Sequence, residues 1–399
     1  MGSIGLPPKE SSEIYLTTAN PAEIEGLSRA NSIEWKAALE LEPYLRREQH
    51  LANQELTRDG GLTTWVLVWQ PGSAADRHVL TGCETIKKRA LVAKNGKVDD
   101  AICHGVCSVF CLPEYRGRGY AGRMMAELSD KLRNWNVDNG KQHVFSALWS
   151  DIGKHFYAAR GWHPYASLHI TLPASEQPLG AGVQLLKSQD LVEACIIDEK
   201  LMRSRLQARG NNGRTTVSIL PDHRTVAWHH AREDFVSKEL LRKSPTVRGA
   251  RVGSVWAYWT RVWADPQGHD PNTLHILRLV VEDDQLGADL SPATTEGVET
   301  INAAVEGRKQ LPGLESSKVA EIRQSIAKIL AVAQTEAERW GMKEVMLWNP
   351  TSLGLAAAKQ IDKDVSVMER QSGSIPSLRW YDGNWKDVDW VENMKYAWC

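Results

Sequence analysis

The sequence predicts an α/β protein of two mixed sheet-and-helix domains, and three observations lead there. Two β-branched and aromatic runs, 63–69 and 78–85, flank the turn Gln70-Pro71-Gly72-Ser73, the layout of an antiparallel hairpin. A third apolar run, 102–112, passes through a glycine-rich loop into Met124, Met125, Leu128 and Leu132 at helical spacing, giving strand, loop, helix. The order helix, turn, strand, helix then recurs late in the chain, with the second strand ending at Trp348 as the first ends at Trp149. That echo is either a degenerate duplication or a chance recurrence of an order common in α/β proteins.

Taken in order, 21–51 reads as helical around Trp35, Leu39 and Leu41, with Pro43 interrupting. The hairpin and third strand follow, and the helix after the loop is expected over 122–135. Asn139-Gly140 marks a turn, 144–149 a buried strand, and 152–160 a short helix that Gly161 closes. Residues 172–182 are rich in Pro and Gly, which disfavour helix and central strand alike. The boundary placed there divides the chain into domains 1–175 and 176–399. Beyond it, 254–263 and 274–281 read as strands and 318–340 as a long amphipathic helix. Between them, 282–317 has the acidic, Gly- and Pro-punctuated composition of a surface excursion.

A chain of 399 residues with 42% hydrophobic content can bury two cores at roughly 100–200 residues per domain. The net charge of −1, mixed in sign along the chain, offers no basic face to neutralise a run of phosphates, so a nucleic-acid partner is not expected. The N-terminal residues lack a secretory layout, Leu6 stands where a myristoylation motif wants Ser or Thr, and no apolar run nears the roughly 20 residues that span a bilayer. A cytoplasmic protein without membrane contact is expected. Cys103, Cys107 and Cys111 fall in one apolar strand with no CxxC; small hydrophobes rather than metal ligands is the expected reading, and no metal is anticipated.

The loop Arg116-Gly117-Arg118-Gly119-Tyr120-Ala121-Gly122 carries the chemistry. A diphosphate at a helix N-terminus meets unpartnered N–H groups and the positive end of the macrodipole. Glycines let backbone approach oxygen, while Arg116, Arg118 and Arg123 add charge. The segment is neither GxxxxGK[ST] nor a dinucleotide fingerprint, because no acidic ribose-binding residue follows at the right spacing. With its strand and Pro113-Glu114-Tyr115 before it, the stretch resembles the acyl-CoA motif of the GNAT acetyltransferases, and Phe156-Tyr157-Ala158-Ala159-Arg160-Gly161-Trp162 resembles that family's later Phe-Tyr-x-x-x-Gly-Phe element, with Trp162 in place of Phe. The resemblance implies a GNAT fold, a mixed but mostly antiparallel twisted sheet flanked by helices, followed by a second, degenerate GNAT-like domain. It implies acetyl-CoA as co-substrate, bound by Cys111, Leu112, Arg116, Gly117, Arg118, Gly119, Tyr120, Ala121 and Gly122. More narrowly, Gly82-Cys83-Glu84-Thr85, Lys87-Lys88-Arg89 and the end 390–399 resemble the fungal lysine N-ε-acetyltransferases. The second copy has Glu315 and no Arg-x-x-Gly-x-Gly before its helix, so it is not expected to bind CoA.

Acetyl transfer to an amine needs a neutral amine, a polarised carbonyl and a proton for the departing thiolate. Backbone N–H at Cys111 or Leu112 is the candidate donor to the carbonyl, where the strand meets Pro113. Cys111 as an acyl-carrying nucleophile is the rival, without an evident His–Asp set. Tyr157 is the general acid that the resemblance implies. Glu84 could take the amine's proton, directly or through water, or bind its charge, with an ordinary exposed strand carboxylate as the equal alternative; His104 is a second candidate base, although a lone histidine on an apolar strand is more often a satisfied core residue. The 16 tryptophans gather towards the C-terminal half, as packing or as the wall of a site, and the aromatic end Tyr396-Ala397-Trp398-Cys399 is expected to dock and to bring a terminal carboxylate near the amine. The acceptor is expected to be a small-molecule amine, free L-lysine first. A polyamine, a protein lysine or a non-catalytic CoA-binding module are the alternatives.

Overall fold

The computed structural model describes residues 5–73, 76–136, 142–209, 213–283 and 317–399. The expected excursion at 282–317, with Glu315, lies almost wholly outside them. In chain order the first half runs β1 (Ile14–Thr18), α1 (Pro21–Trp35), α2 (Leu41–Ala52), β2 (Leu62–Trp69), β3 (His78–Lys94), β4 (Lys97–Cys111), α3 (Tyr120–Leu132), β5 (Gln142–Ser150), α4 (His155–Ala158), β6 (His163–Pro164) and β7 (Leu168–Pro173). The second runs β8 (Gln184–Leu186), α5 (Leu191–Ala208), β9 (Thr215–Ile219), α6 (His223–Leu241), β10 (Gly249–Val252), β11 (Val255–Val262), β12 (Thr273–Val281), α7 (Ser317–Arg339), β13 (Glu344–Trp348), α8 (Ser352–Ile361), β14 (Met368–Glu369), β15 (Ile375–Trp380) and β16 (Val388–Trp390).

Local chemistry sets several of these boundaries. α1 opens on a capping box, with Asn20 Oδ1 accepting from the Glu23 N–H at 3.0 Å and the Glu23 carboxylate accepting from the Asn20 N–H at 2.9 Å. Pro43, expected to interrupt the helix, instead sits in the first turn of α2, where its missing N–H has no partner to lose. The break falls at 36–40. α3 begins two residues earlier than the apolar spacing predicts, because Gly119 at φ 83° serves as its N-cap.

Two sheets form, and each borrows from the other half of the chain. The nine-stranded sheet runs β1-β2-β3-β4-β5-β15-β6, with β9 on the far half of β3 and β16 on β9. The seven-stranded sheet runs β14-β7-β13-β12-β11-β10-β8. Strand β4 lies parallel to β5, and β12 lies parallel to β13 in the same relation, so the echo in the sequence is a repeated topology. The partner of each parallel pair is exchanged: β15 pairs antiparallel with β5, and β7 with β13. Strand pairing therefore crosses the 175/176 division in both directions, since β7 precedes it yet joins the second sheet, whereas β9, β15 and β16 follow it yet join the first.

α3 lays Met124, Met125, Leu128 and Leu132 against Trp65, Leu67 and Leu80 in one apolar cluster, each such side chain contributing about 1.5–3 kcal/mol on burial. No helix among the described residues is long and apolar enough to cross a membrane.

Candidate active site

The ladder of β4 is irregular where it nears the glycine-rich loop. Gly82 faces Phe110 but Glu84 faces Cys107, so β4 carries a bulge here, at which Ser108 takes a φ of 51°. On its other edge β4 pairs with β5 from Ala101↔Gln142 to Val106↔Leu148, then runs on to Cys111 without it. Past Val106 the parallel pairing ends and a notch lies between the strands, where the Phe110 carbonyl accepts from the Thr81 hydroxyl at 2.8 Å.

At the end of that notch the chain turns through Pro113–Tyr115 and enters α3. Gly117 and Gly119 take φ of 76° and 83°, a conformation that costs other L-residues more. No side chain caps α3, and its first intrahelical bond runs from the Arg123 N–H to the Gly119 carbonyl at 3.0 Å. The N–H groups of Tyr120, Ala121 and Gly122 are therefore left without intrahelical partners, which suits an anion. A diphosphate fits this stretch on that ground. The arginines divide. Arg118 is exposed, whereas Arg116 Nε donates to the Cys111 carbonyl at 3.0 Å and its guanidinium lies 5.2 Å from the Phe110 ring centroid. Arg123, expected to add charge for phosphates, turns away to Glu127 at 2.7 Å and to the Ser11 carbonyl at 2.8 Å. The Tyr120 ring is buried and its hydroxyl donates to the Pro7 carbonyl at 2.5 Å, so only its backbone faces outward.

Beside the notch lies a cavity of about 1190 Å³. Glu84 and Tyr157 both line it. Glu84 accepts from Ser108 Oγ at 2.8 Å, with the Thr64 hydroxyl as a second donor. Burial and the nearby Glu48 carboxylate outweigh these hydrogen bonds and push its pKa up to about 7. Tyr157 is 8% exposed on α4, and burial, then the charges of Cys83 and Asp151, hold its phenol well above its ordinary pKa. The chain end reaches the same cavity through Trp398 and Cys399. Lys88 of β3 anchors it, its Nζ donating to the Ala397 carbonyl at 2.8 Å and the Trp398 carbonyl at 3.3 Å. The Cys107 thiol donates to the Cys399 sulfur, drawing the Cys399 thiol below its ordinary pKa and raising that of Cys107.

The remaining candidates fall elsewhere. Cys111 is half-buried, its thiol donates to the Leu80 carbonyl at 3.7 Å, and burial raises its pKa. His104 is 1% exposed and does not line the cavity. Among the described residues no group of three or more His, Cys, Asp or Glu could share a metal ion. Sequence reasoning missed Ser108 and Arg232, which line the cavity, and weighed Trp228, which also lines it, only among the tryptophans that pack or wall a site. Ser108 carries no signal because a bulge has no composition of its own. The other two sit on α6, whose buried face holds Thr225, His229, His230, Glu233 and Ser237 beside few apolar residues, so hydrophobic spacing is blind to it.

A family model described as the LYC1 GNAT-like C-terminal domain matches residues 169–399, and one described as the Acetyltransferase (GNAT) family matches residues 31–162. The chain is 24% identical to the Lysine acetyltransferase of Yarrowia lipolytica over 426 residues, covering 95% of this chain and 98% of that protein. Among solved structures, an N-myristoyltransferase of Saccharomyces cerevisiae with bound myristoyl-CoA superposes with a TM-score of 0.50 at 8% identity, covering 95% of this chain and 81% of the other. That likeness is one of fold alone.

Proposed function

This chain belongs to the LYC1 GNAT-like family and is an acetyl-CoA-dependent N-acetyltransferase, and from that premise we propose that it moves acetyl from acetyl-CoA directly to the side-chain amine of free L-lysine. The observation that carries the reading is one cavity, beside the β4/β5 notch, holding a carboxylate poised near neutrality and a protonated phenol.

Acetyl-CoA supplies the thioester. The N–H groups from Gly117 to Gly122 hold its diphosphate, since that of Arg116 donates to the Pro113 carbonyl at 3.2 Å, and backbone N–H at Cys111 or Leu112 polarises the carbonyl. A lysine ammonium, with a free pKa near 10.4, is neutral only about once in a few thousand molecules at pH 7. Entry beside Trp149, Leu148 and Val106 disfavours the charged form. Glu84 then takes the proton, directly or through water, its raised pKa making it a stronger base than an ordinary carboxylate. The amine attacks, the carbon–sulfur bond breaks as Tyr157 gives its proton to the departing thiolate, and the second proton that the nitrogen sheds on becoming an amide passes through water to the Tyr157 phenolate. The engaged, high-pKa thiol of Cys111 makes a poor acyl carrier, which supports direct transfer.

Turnover of acetyl-CoA against a panel of amines, read by mass, tests the reading. Nε-acetyllysine is the expected product. Turnover of a polyamine or a protein lysine with free lysine inert would replace the acceptor, and acetyl-CoA binding without turnover of any amine would sink the enzyme reading.

A further inference from the structure

The cavity that holds Glu84 and Tyr157 has five arginines among its lining residues, Arg29, Arg46, Arg47, Arg58 and Arg232. Four are neutralised by carboxylates. Arg47 pairs with Glu48 at 2.6 Å, Arg29 with Glu25 at 3.0 Å, Arg46 with Glu239 at 3.0 Å, and Arg58 with Asp59 at 3.6 Å. Arg232 on α6 is the exception: no hydrogen bond or ion pair joins it to another of the described residues. Its guanidinium lies 5.8 Å from the Trp398 ring centroid, and only part of its surface reaches solvent. A guanidinium withdrawn from water without an anion is unfavourable. Its planar fork of five donors matches a carboxylate, which could satisfy it with two parallel hydrogen bonds. Burial and the facing Arg47 lower its pKa to about 9, with Glu48 and Tyr44 pulling the other way; it remains charged at neutral pH and would gain from an arriving anion. Glu84 and Arg232 both line the wall of this cavity, as does Tyr44, on which both act electrostatically. None of the residues from Cys111 to Gly122 lines that wall, which separates Arg232 from the diphosphate loop.

We propose that Arg232 is the carboxylate-binding residue of the acceptor subsite, and hence that the acceptor is an amino acid whose reacting amine lies at the opposite end from its α-carboxylate. The inference rests on the acetyltransferase reading above and deepens it. An extended lysine carries its ammonium and its carboxylate at opposite ends, so one end meets Glu84 while the other meets the C-terminal half of the chain through α6.

The test compares each amino acid with its decarboxylated analogue, L-lysine with 1,5-diaminopentane and L-ornithine with 1,4-diaminobutane, in the wild-type protein, Arg232→Gln and Arg232→Lys. Wild type is expected to favour the carboxylated member of each pair. Arg232→Gln should lose about 10²-fold in kcat/KM for L-lysine, through KM, and stay within about 3-fold for the diamine, as expected when a charge-assisted bidentate pair is removed. Arg232→Lys keeps the charge without the fork and should fall between, which also guards against a variant that does not fold. Equal losses for both members, a preference of wild type for the diamines, or a fall in acetyl-CoA affinity with amine KM unchanged would each overturn the assignment, the last by moving Arg232 to the cofactor. If wild type acetylates no amine, the functional reading fails on its own. Calorimetric titration of L-lysine then decides Arg232 separately: binding by wild type that Arg232→Gln abolishes sustains it, and no binding overturns it as well.

Discussion

A carboxylate on a central strand is expensive to keep ionised, and Glu84 is held between burial and Glu48 on one side and the hydroxyls of Ser108 and Thr64 on the other. With a pKa raised to about 7, Glu84 is protonated and idle as a base below neutrality, so kcat/KM for the amine should rise with pH through about 7. Glu84→Gln should remove that limb from the pH–rate profile and lower kcat by roughly 10²–10⁴. The sign for stability is opposite. Because the folded state binds the proton more tightly than the unfolded chain does, Glu84 makes stability decline as pH rises from the ordinary carboxylate range to about 7; Glu84→Gln should therefore melt higher than wild type at pH 8 while working worse, and an unchanged Tm there would deny the strained carboxylate. Tyr157→Phe keeps the ring and its edge-on contact with Phe156 at 4.9 Å but removes the proton, so kcat should fall by roughly 10²–10⁴ with acetyl-CoA affinity close to wild type. Unchanged kcat would make Tyr157 a packing residue. Gly119→Glu brings a negative charge and a Cβ to a residue at φ 83°, where that Cβ would meet the Lys9 stem at 2.7 Å; calorimetry should find acetyl-CoA binding lost in a folded protein. The glycine turn and the short helix that carries Tyr157 were readable from neighbouring residues. The electrostatics of Glu84 were not, because Glu48 is 36 residues away in the chain and Ser108 acts only through a bulge.

At the level of elements, the cavity is assembled from pieces that respond to different forces. The β4 bulge and the parting of β4 from β5 open the notch, α3 supplies an uncapped N-terminus, and α6 brings buried polar residues, of which His229, His230 and Glu233 have partners that let the core tolerate them. His229 Nε2 lies 2.9 Å from the Tyr396 carbonyl and His230 Nε2 lies 3.0 Å from that of Trp259, while Glu233 is held by Arg261 at 2.7 Å and by Arg248. Such a helix has no apolar stripe to betray it. The chain end was readable as docked from its aromatic composition, yet its partners are distant: Lys395 Nζ stands 4.0 Å from the Trp398 ring and 4.3 Å from that of Trp348, with Lys88 holding the backbone. Trp398→Ala removes a cavity wall and the ring above Arg232 and should raise KM for the amine by about 10-fold or more, with acetyl-CoA affinity little changed. Unaltered amine kinetics in a folded variant would assign Trp398 to the scaffold alone.

Across the whole molecule, the exchanged strands make the halves interdependent. A fragment of residues 1–175 would lack β15, and the edge of β5 would expose unpaired backbone groups beside Phe145 and Ala147, which are fully buried in the intact chain. The pair of Arg89 on β3 with Glu199 on α5 at 2.7 Å ties the halves together as well, while the buried pair of Asp198 with Arg278 at 2.7 Å, extended to Glu392, joins α5 and β12 to the chain end within 176–399. Separately expressed 1–175 and 176–399 should aggregate or remain unstructured, and co-expression should restore a soluble complex; circular dichroism with a cooperative melt for either fragment alone would contradict this interdependence. The intact chain should unfold in one transition rather than two. By itself, the sequence determined the α/β class, the glycine-rich turn from Arg116 to Gly122 that leads into α3 and the repeated order of elements, because each is written in neighbouring residues through turn chemistry, glycine conformation and hydrophobic period. Only the tertiary structure decided that β7 and β15 change sheets, that Glu84 sits beside Glu48 and Ser108, and that Arg232 reaches the cavity without a carboxylate paired to it among the described residues. Those outcomes depend on pairing and burial between segments far apart in the chain, and no local pattern of residue types encodes them.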